Sequence, residues 1–308
     1  MQDIKLTAPC TNKHLVNISF GSIWQQFFPQ AATFTEKDIP AGSQAGKVFI
    51  VTGANSGIGF ELVKILYPTA ATIYLAGRSE ERVKNAIAQI TSITPNPDTP
   101  ATLKYLHLDL SDLDTVKAAA ATFASQETEL RILWNNAGAG YPKGSSTKQG
   151  IEAHAGANCV APLLFTQLLL PFLKVAAQNS PRNIVRIVWT SSLQIEMSAP
   201  KDGINYERFN SGATVDKIPE YAASKAGNLF LADEGAKIWG KDGIAKFGTY
   251  TMLFAGFSPE VTLDVNGAYI CPWEKIQLNG RVDMYRAIEA GKAREFWEWC
   301  EDKYRPFA

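Results

Sequence analysis

Histidine and cysteine are scarce in this chain, three and four residues in 308. The histidines (His14, His107, His154) and cysteines (Cys10, Cys159, Cys271, Cys300) are scattered, with no Cys-x-x-Cys and no ligand spacing. No metal site and no disulfide framework is therefore expected, and a reducing, cytoplasmic setting follows as the default. Net charge is lacking as well. Thirty Lys and Arg residues balance thirty Asp and Glu, which leaves no global attraction to nucleic acid or to an anionic membrane. No stretch reads as an integral membrane span. The longest apolar run, Val160 to Ala177, carries Pro162, Gln167, Pro171 and Lys174 and suits a buried helix better. The run from Leu15 to Phe28 holds Asn17, Ser19, Ser22, Gln25 and Gln26, too polar for the core of a signal peptide. Internal repeats and low-complexity tracts are missing too.

What the chain has is alternation. At 308 residues and 46% hydrophobic it can bury one substantial core. Apolar patterning predicts strands near 47–52, 71–76, 103–108, 130–135 and 184–190. It predicts helices near 57–67, 79–92, 111–125, 151–178 and 219–240. That order specifies the α/β class, a Rossmann-like, doubly wound parallel sheet in a three-layer α/β/α arrangement. Residues 1–44 are expected to form an N-terminal arm with a short aromatic helix at Ile23–Phe28, and residues 45–308 a single domain. The long loop from Leu193 to Ile218, with Met197, Pro200, Tyr206 and Phe209, leaves the carboxyl end of a strand and is expected to line a pocket.

The first strand, Lys47-Val48-Phe49-Ile50-Val51-Thr52, runs into Gly53-Ala54-Asn55-Ser56-Gly57-Ile58-Gly59. The helical pattern Phe60, Leu62, Val63, Ile65, Leu66 follows. Strand, glycine turn and helix start are what a dinucleotide pyrophosphate requires: a tight turn, backbone N–H groups that can approach phosphate, and close helix–sheet packing. The second strand ends in Gly77-Arg78-Ser79, where an enzyme using NAD usually places an acidic residue for the ribose 2′-hydroxyl. A guanidinium there suits a 2′-phosphate by charge and bidentate geometry. The expectation is NADP(H) over NAD(H); the other reading of Arg78 is a solvated arginine opening the helix at Ser79-Glu80-Glu81-Arg82.

Tyr221 and Lys225, in Tyr221-Ala222-Ala223-Ser224-Lys225, share one face of a helix. A free phenol, with a pKa of about 10, is a poor acid or base at neutral pH. A neighbouring ammonium favours the phenolate and brings it toward the working range. Alone, such a pair also fits an exposed helix face.

Taken in order, these motifs resemble the short-chain dehydrogenase/reductase family over roughly residues 45–244. Its Thr-Gly-x-x-x-Gly-x-Gly is met by Thr52 through Gly59, and its acidic residue bordering the adenine by Asp109. Its Asn-Asn-Ala-Gly is present as Asn135-Asn136-Ala137-Gly138, and the Asn of its central helix, which holds a relay water, corresponds to Asn158. Its catalytic Ser corresponds to Ser192, with Ser191 one residue off. The resemblance implies that Tyr221 exchanges a proton with the substrate oxygen while hydride moves to or from the nicotinamide. It implies that Ser192 hydrogen-bonds that oxygen, and that Lys225 tunes Tyr221 and holds the nicotinamide ribose. The cofactor residues it implies are Gly53, Asn55, Ser56, Gly57, Ile58, Gly59, Arg78, Asp109, Asn135, Asn136, Ala137, Tyr221 and Lys225. In the family the helix over 151–178 commonly forms a subunit interface, so a homodimer is implied.

The C-terminal third departs from that pattern. The family's sixth strand ends in Pro-Gly, a turn that closes over the nicotinamide; here Gly243-Ile244 passes directly to Ala245-Lys246-Phe247-Gly248-Thr249-Tyr250. The later segments around Ala255-Gly256-Phe257-Ser258-Pro259-Glu260 and Gly267-Ala268-Tyr269-Ile270-Cys271-Pro272-Trp273 resemble fungal members. So does the aromatic end at Phe296-Trp297-Glu298-Trp299, which is expected to be a packed helix. A few tens of residues look lost between Ile244 and Phe247. Two expectations follow: an NADP(H)-dependent oxidoreductase for a ketone or secondary alcohol of a small apolar molecule in fungal secondary metabolism, or a dinucleotide-binding protein of impaired turnover with a binding or regulatory role.

Overall fold

The computed structural model describes residues 31–93, 97–249, 252–271, 275–276 and 280–307. The first thirty residues, and with them the helix expected at Ile23–Phe28, lie outside the described residues.

The alternation holds to within a residue or two. In chain order the elements are β1 (Val48–Thr52), α1 (Gly57–Leu66), β2 (Thr72–Gly77), α2 (Glu80–Ile93), β3 (Thr102–His107), α3 (Leu113–Ala124) and β4 (Ile132–Asn135). The long helix α4 spans Ala153–Gln178 and contains a π turn at Gly156–Val160. Next come β5 (Arg186–Thr190), short helices α5 (Gln194–Ser198) and α6 (Tyr206–Phe209), and α7 (Lys217–Trp239). The remainder is β6 (Ala245–Thr249), α8 (Met252–Phe257), β7 (Tyr269–Cys271), β8 (Lys275–Ile276), α9 (Val282–Glu289) and α10 (Lys292–Tyr304).

The described strands form one sheet in the order β3-β2-β1-β4-β5-β6-β7-β8. All pairs are parallel except β7 with β8. The order reverses between β1 and β4, the point at which doubly wound sheets open a crevice for ligand. Strand β1 is buried at every position because helices cover both faces. One apolar core joins α3, α4, α7 and α10 to the sheet, the other α1, α2 and α8. Helix α4 is long and apolar enough to cross a membrane, but it is largely buried between α3 and α7, as a core helix is.

The sixth strand forms although the Pro-Gly turn is absent from the sequence. Ala245–Thr249 pairs in parallel with β5, Arg186 opposite Ala245 and Thr190 opposite Thr249. The strand slot is filled; the family's Pro-Gly turn is what the chain does not have. A parallel ladder is built from backbone groups, so five extended residues complete it whatever their side chains. The segment after β6 is tied down from below. Arg186, buried to 2% exposure, donates from Nη1 to the Ala255 carbonyl (3.0 Å), from Nη2 to that of Ser258 (2.8 Å) and from Nε to that of Asn183 (3.0 Å). Burial pushes its guanidinium pKa down to about 10. Trp134 Nε1 adds a bond to the Met252 carbonyl (3.0 Å). On the same side Phe34 meets Phe254 edge-on at 5.9 Å, so the described end of the arm packs on α8.

The aromatic end is a packed helix, as expected. Phe296 and Trp297 of α10 are buried, Trp297 meets Trp239 of α7 at 5.0 Å, and Phe296 stacks on Trp299 at 5.7 Å. A Cβ built on Gly227 of α7 would lie 2.7 Å from Phe296 Cε1 and 2.9 Å from Cys159 Sγ, so a side chain there cannot enter without displacing α10 or the π turn.

Candidate active site

A cleft of about 580 Å³ runs along the carboxyl ends of the strands, from Arg78 and Arg82 at one end to Ser192, Tyr221 and Lys225 at the other. Its floor is the glycine turn. Gly53 and Gly57 hold φ of +67° and +59°, left-handed backbone that favours glycine. Gly59 has a different reason to lack a side chain: a Cβ there would sit 2.6 Å from Asn136 Nδ2 and 2.9 Å from the Gly53 carbonyl. Ser56 precedes α1 in extended backbone and its side chain makes no cap bond. The first-turn N–H groups of α1 are therefore left uncapped at the edge of the cleft, which Ile58 lines, the arrangement that receives a pyrophosphate.

The second loop is held by the first. Asn136 Nδ2 donates to the Thr52 carbonyl (2.8 Å), and the Ala137 N–H donates to Thr52 Oγ1 (2.9 Å). Asp109 lines the cleft with one carboxylate oxygen accepting from the Ser111 N–H (2.9 Å). Gly53, Asn55, Ser56, Ile58, Arg78, Asp109, Asn136, Ala137, Tyr221 and Lys225 all line the space. Gly57, Gly59 and Asn135 do not: the glycines shape the turn, and Asn135 points into the core, donating to Thr166 Oγ1 (2.9 Å).

At the other end, burial does the chemical work. Lys225 is 2% exposed, and its ammonium donates to the Thr190 carbonyl (3.0 Å) and sits 5.8 Å from the Tyr221 ring centre. Desolvation pushes its pKa down to about 8. Gly138 makes room for it, since a Cβ there would lie 2.5 Å from Lys225 Nζ. The two adjacent serines face different tasks. Ser191 Oγ donates to the Lys225 carbonyl (3.1 Å) and ties β5 to α7. Ser192 Oγ accepts from the Gln194 N–H (3.2 Å) and lines the cleft. Asn158 sits in the π turn with its amide engaged: Oδ1 accepts from the Ala139 N–H (3.1 Å), and Nδ2 donates to the Ala139 carbonyl (3.1 Å) and Ser224 Oγ (3.0 Å). Its side chain joins the loop after β4 to the helix that carries Tyr221 and Lys225.

Three groups were not visible as site residues in the sequence. Arg82, one turn after Arg78 on α2, lines the same end of the cleft. Helical spacing from Arg78 was the available signal. Thr190 holds Lys225 through a main-chain carbonyl, for which sequence carries no signal. The third is a buried cluster beside Tyr221. His154 accepts from the Tyr141 N–H through Nε2 (2.8 Å), and its Nδ1 meets Glu152 Oε1 (2.8 Å). Its ring lies 6.2 Å from that of Tyr221. Glu152, His154 and Glu220 are close enough to share a cation, but both imidazole nitrogens are already bonded, which removes the strongest ligand of the set. Of the long loop, Gln194, Lys217 and Ile218 line a recess beside Tyr221, whereas Tyr206 and Phe209 pack against Phe296 and Trp299 of α10.

The sequence profile of the short chain dehydrogenase family matches residues 47–207. The short-chain dehydrogenase/reductase iacJ of Pestalotiopsis fici is 55% identical, with 93% of this chain and 98% of that protein covered. The short-chain dehydrogenase/reductase pkfC of Emericella nidulans is 36% identical, with 91% and 99% covered. Among solved structures, the NADPH-bound carbonyl reductase from chicken fatty liver superposes with a TM-score of 0.56 at 22% identity, over 77% of this chain and 96% of that one, a likeness of fold. The iacJ alignment runs over 320 positions, more than the 308 residues here, so it holds positions this chain does not fill.

Proposed function

The chain belongs to the short-chain dehydrogenase/reductase family and is a nicotinamide-dependent oxidoreductase for CH–OH or C=O groups; from that premise we propose that it works with NADP(H) on a ketone or secondary alcohol of a small molecule. The observation that carries the reading is the buried, uncompensated ammonium of Lys225 beside Tyr221, at the end of a cleft whose other end carries Arg78 and Arg82. When bound, the nicotinamide supplies or accepts the hydride. Tyr221 exchanges the proton with the substrate oxygen. Ser192 hydrogen-bonds that oxygen and fixes its position. Lys225 keeps positive charge next to Tyr221 and offers donors to ribose hydroxyls, and Asn158 braces the loop over which the cofactor lies. Asp109 borders the adenine. Arg78, with Arg82 one turn on, receives the 2′-phosphate, since two guanidiniums match a dianion better than a ribose hydroxyl does.

Fluorescence titration with NADPH and NADH tests this. Selective NADPH binding, lost in Arg78→Ala with NADH affinity retained, supports the cofactor assignment; equal affinities for both cofactors in the parent protein reject it. The matching relatives come from fungi, which supports a role in fungal secondary metabolism. A cytoplasmic location agrees with the free, buried thiols of Cys159 and Cys300.

A second reading rests on the missing Pro-Gly turn after β6 and on the unfilled alignment positions. In it the protein binds dinucleotide yet turns over poorly and serves a binding or regulatory role. Tight NADPH binding without reduction of any ketone in a broad screen favours this alternative. As for assembly, the homodimer implied by the resemblance would use helix α4, on which Leu168 and Val175 are exposed.

A further inference from the structure

A recess of about 310 Å³ opens beside Tyr221, lined by Gly138, Gly140, Gln194, Lys217, Ile218 and Tyr221. A substrate whose oxygen meets Tyr221 has this recess next to it. Two features of the wall point to one chemistry. Lys217, the first residue of α7, is laid across Gly140: a Cβ built on that glycine would sit 2.9 Å from Lys217 Cε and 3.8 Å from its Nζ. The bare glycine backbone thus keeps the lysine stem low and its ammonium at the recess.

The acidic neighbours of Lys217 are turned elsewhere. Asp216 caps α7 through the Ile218 N–H (3.3 Å), and Glu220 accepts from the N–H groups of Val215 (2.9 Å) and Asp216 (3.0 Å). Among the described residues no ion pair to Lys217 is formed, whereas α7's other lysine outside the cleft, Lys237, is paired with Asp233 at 2.6 Å. The second feature is Gln194. Its Oε1 is buried and has no hydrogen-bond partner among the described residues. Gln194 also lines the recess, and a carboxamide carries N–H donors as well as its oxygen, so the recess has a donor beside a cation. Ile218, 57% exposed, gives the recess an apolar wall residue.

We propose that Lys217 and Gln194 form a subsite for a carboxylate carried by the carbonyl substrate. This deepens the oxidoreductase reading and rests on its assignment of Tyr221 to the substrate oxygen. One carboxylate oxygen meets the Lys217 ammonium and the other the Gln194 amide, while the carbonyl lies at Tyr221 and Ser192. The positive end of the α7 helix adds to the same field. The substrate is therefore a keto acid or hydroxy acid, its ring or chain resting on Ile218, and not a wholly apolar ketone.

The test uses 4-acetylbenzoate and its methyl ester as matched probes of the full chain with NADPH, binding being read by saturation-transfer NMR. The acid is expected to bind about tenfold more tightly than the ester, the worth of one charge-assisted hydrogen bond. In Lys217→Met that ratio should fall close to one, and Gln194→Leu should lower it partway. Salt raised to 0.5 M should erode the ratio in the parent protein, a readout that holds even where a variant fails to fold. An acid-to-ester ratio that is the same in the parent and in Lys217→Met, a ratio insensitive to salt, or no detectable binding of the acid overturns the subsite. Failure of the oxidoreductase reading shows separately, as absent NADPH binding or as full turnover by Tyr221→Phe, and leaves the binding ratio to decide the subsite.

Discussion

Lys225 is a cation the fold buries without neutralising, its ammonium bonded to a main-chain carbonyl. Its pKa lies near 8, below the unfolded value of about 10.4. Between those values the unfolded chain binds more protons than the folded one, so this residue makes stability rise with pH across that window and withdraws the gain as pH falls through about 8. At neutral pH the buried charge is a cost. Lys225→Met is accordingly expected to raise the Tm of the cofactor-free protein by roughly 2–4 °C while abolishing turnover, the trade between stability and activity expected of strained sites. A lower Tm would show that the Thr190 bond outweighs desolvation. Tyr221→Phe is expected to lower kcat by about 10²–10⁴ and to leave NADPH affinity nearly unchanged, measured by steady-state kinetics beside fluorescence titration. These two residues were legible because helical spacing alone brings them together. The loop holding Gln194 and Lys217 was legible as pocket lining, but the room that Gly138 and Gly140 leave for lysine stems was not, because a glycine's vacancy exists only once separate segments have met.

Among the elements, the regular ones were easy to read. Strand β1 ran as a continuous apolar stretch, helices α1 to α3 each kept buried and exposed faces, and Asp112 and Asp216 mark the starts of α3 and α7 as N-caps. Strand β6 was harder. Ala245-Lys246-Phe247-Gly248-Thr249 has little β-branched character, and the open edge of β5 recruits it through backbone bonds that composition does not encode. The π turn at Gly156–Val160 was also hidden, since a helix that widens for five residues keeps nearly the same apolar pattern. That turn, α7 and α10 cross at Gly227. Gly227→Ala is expected to cost about 1–3 kcal/mol, seen as a lower denaturant midpoint with an unchanged slope. A neutral result would mean that Phe296 swings aside freely.

At the scale of the whole molecule, α7 decides how the chain meets other copies of itself. Ala222 through Ala232 are buried without a break, eleven residues that take in every face of the helix. The sheet, α4, α5 and α10 all pack against it. Over that stretch α7 has no face left for a partner. The prediction is a monomer of 33.7 kDa in sedimentation equilibrium; a stable dimer would show that the exposed Leu168 and Val175 of α4 carry the contact instead.

The cover over α7 has a consequence for biosynthesis. Helix α7 ends at Trp239, and α10 begins only at Lys292. On the ribosome the helix bearing Tyr221 and Lys225 emerges well before the aromatic side chains that enclose it. The sheet from β1 to β5 can assemble in that interval, but the nascent chain presents Leu229, Phe230 and Trp239 with part of their packing still unmade. This is the kind of transient apolar surface that attracts chaperones or neighbouring nascent chains, so soluble yield in the cell should depend on the speed at which translation crosses that interval.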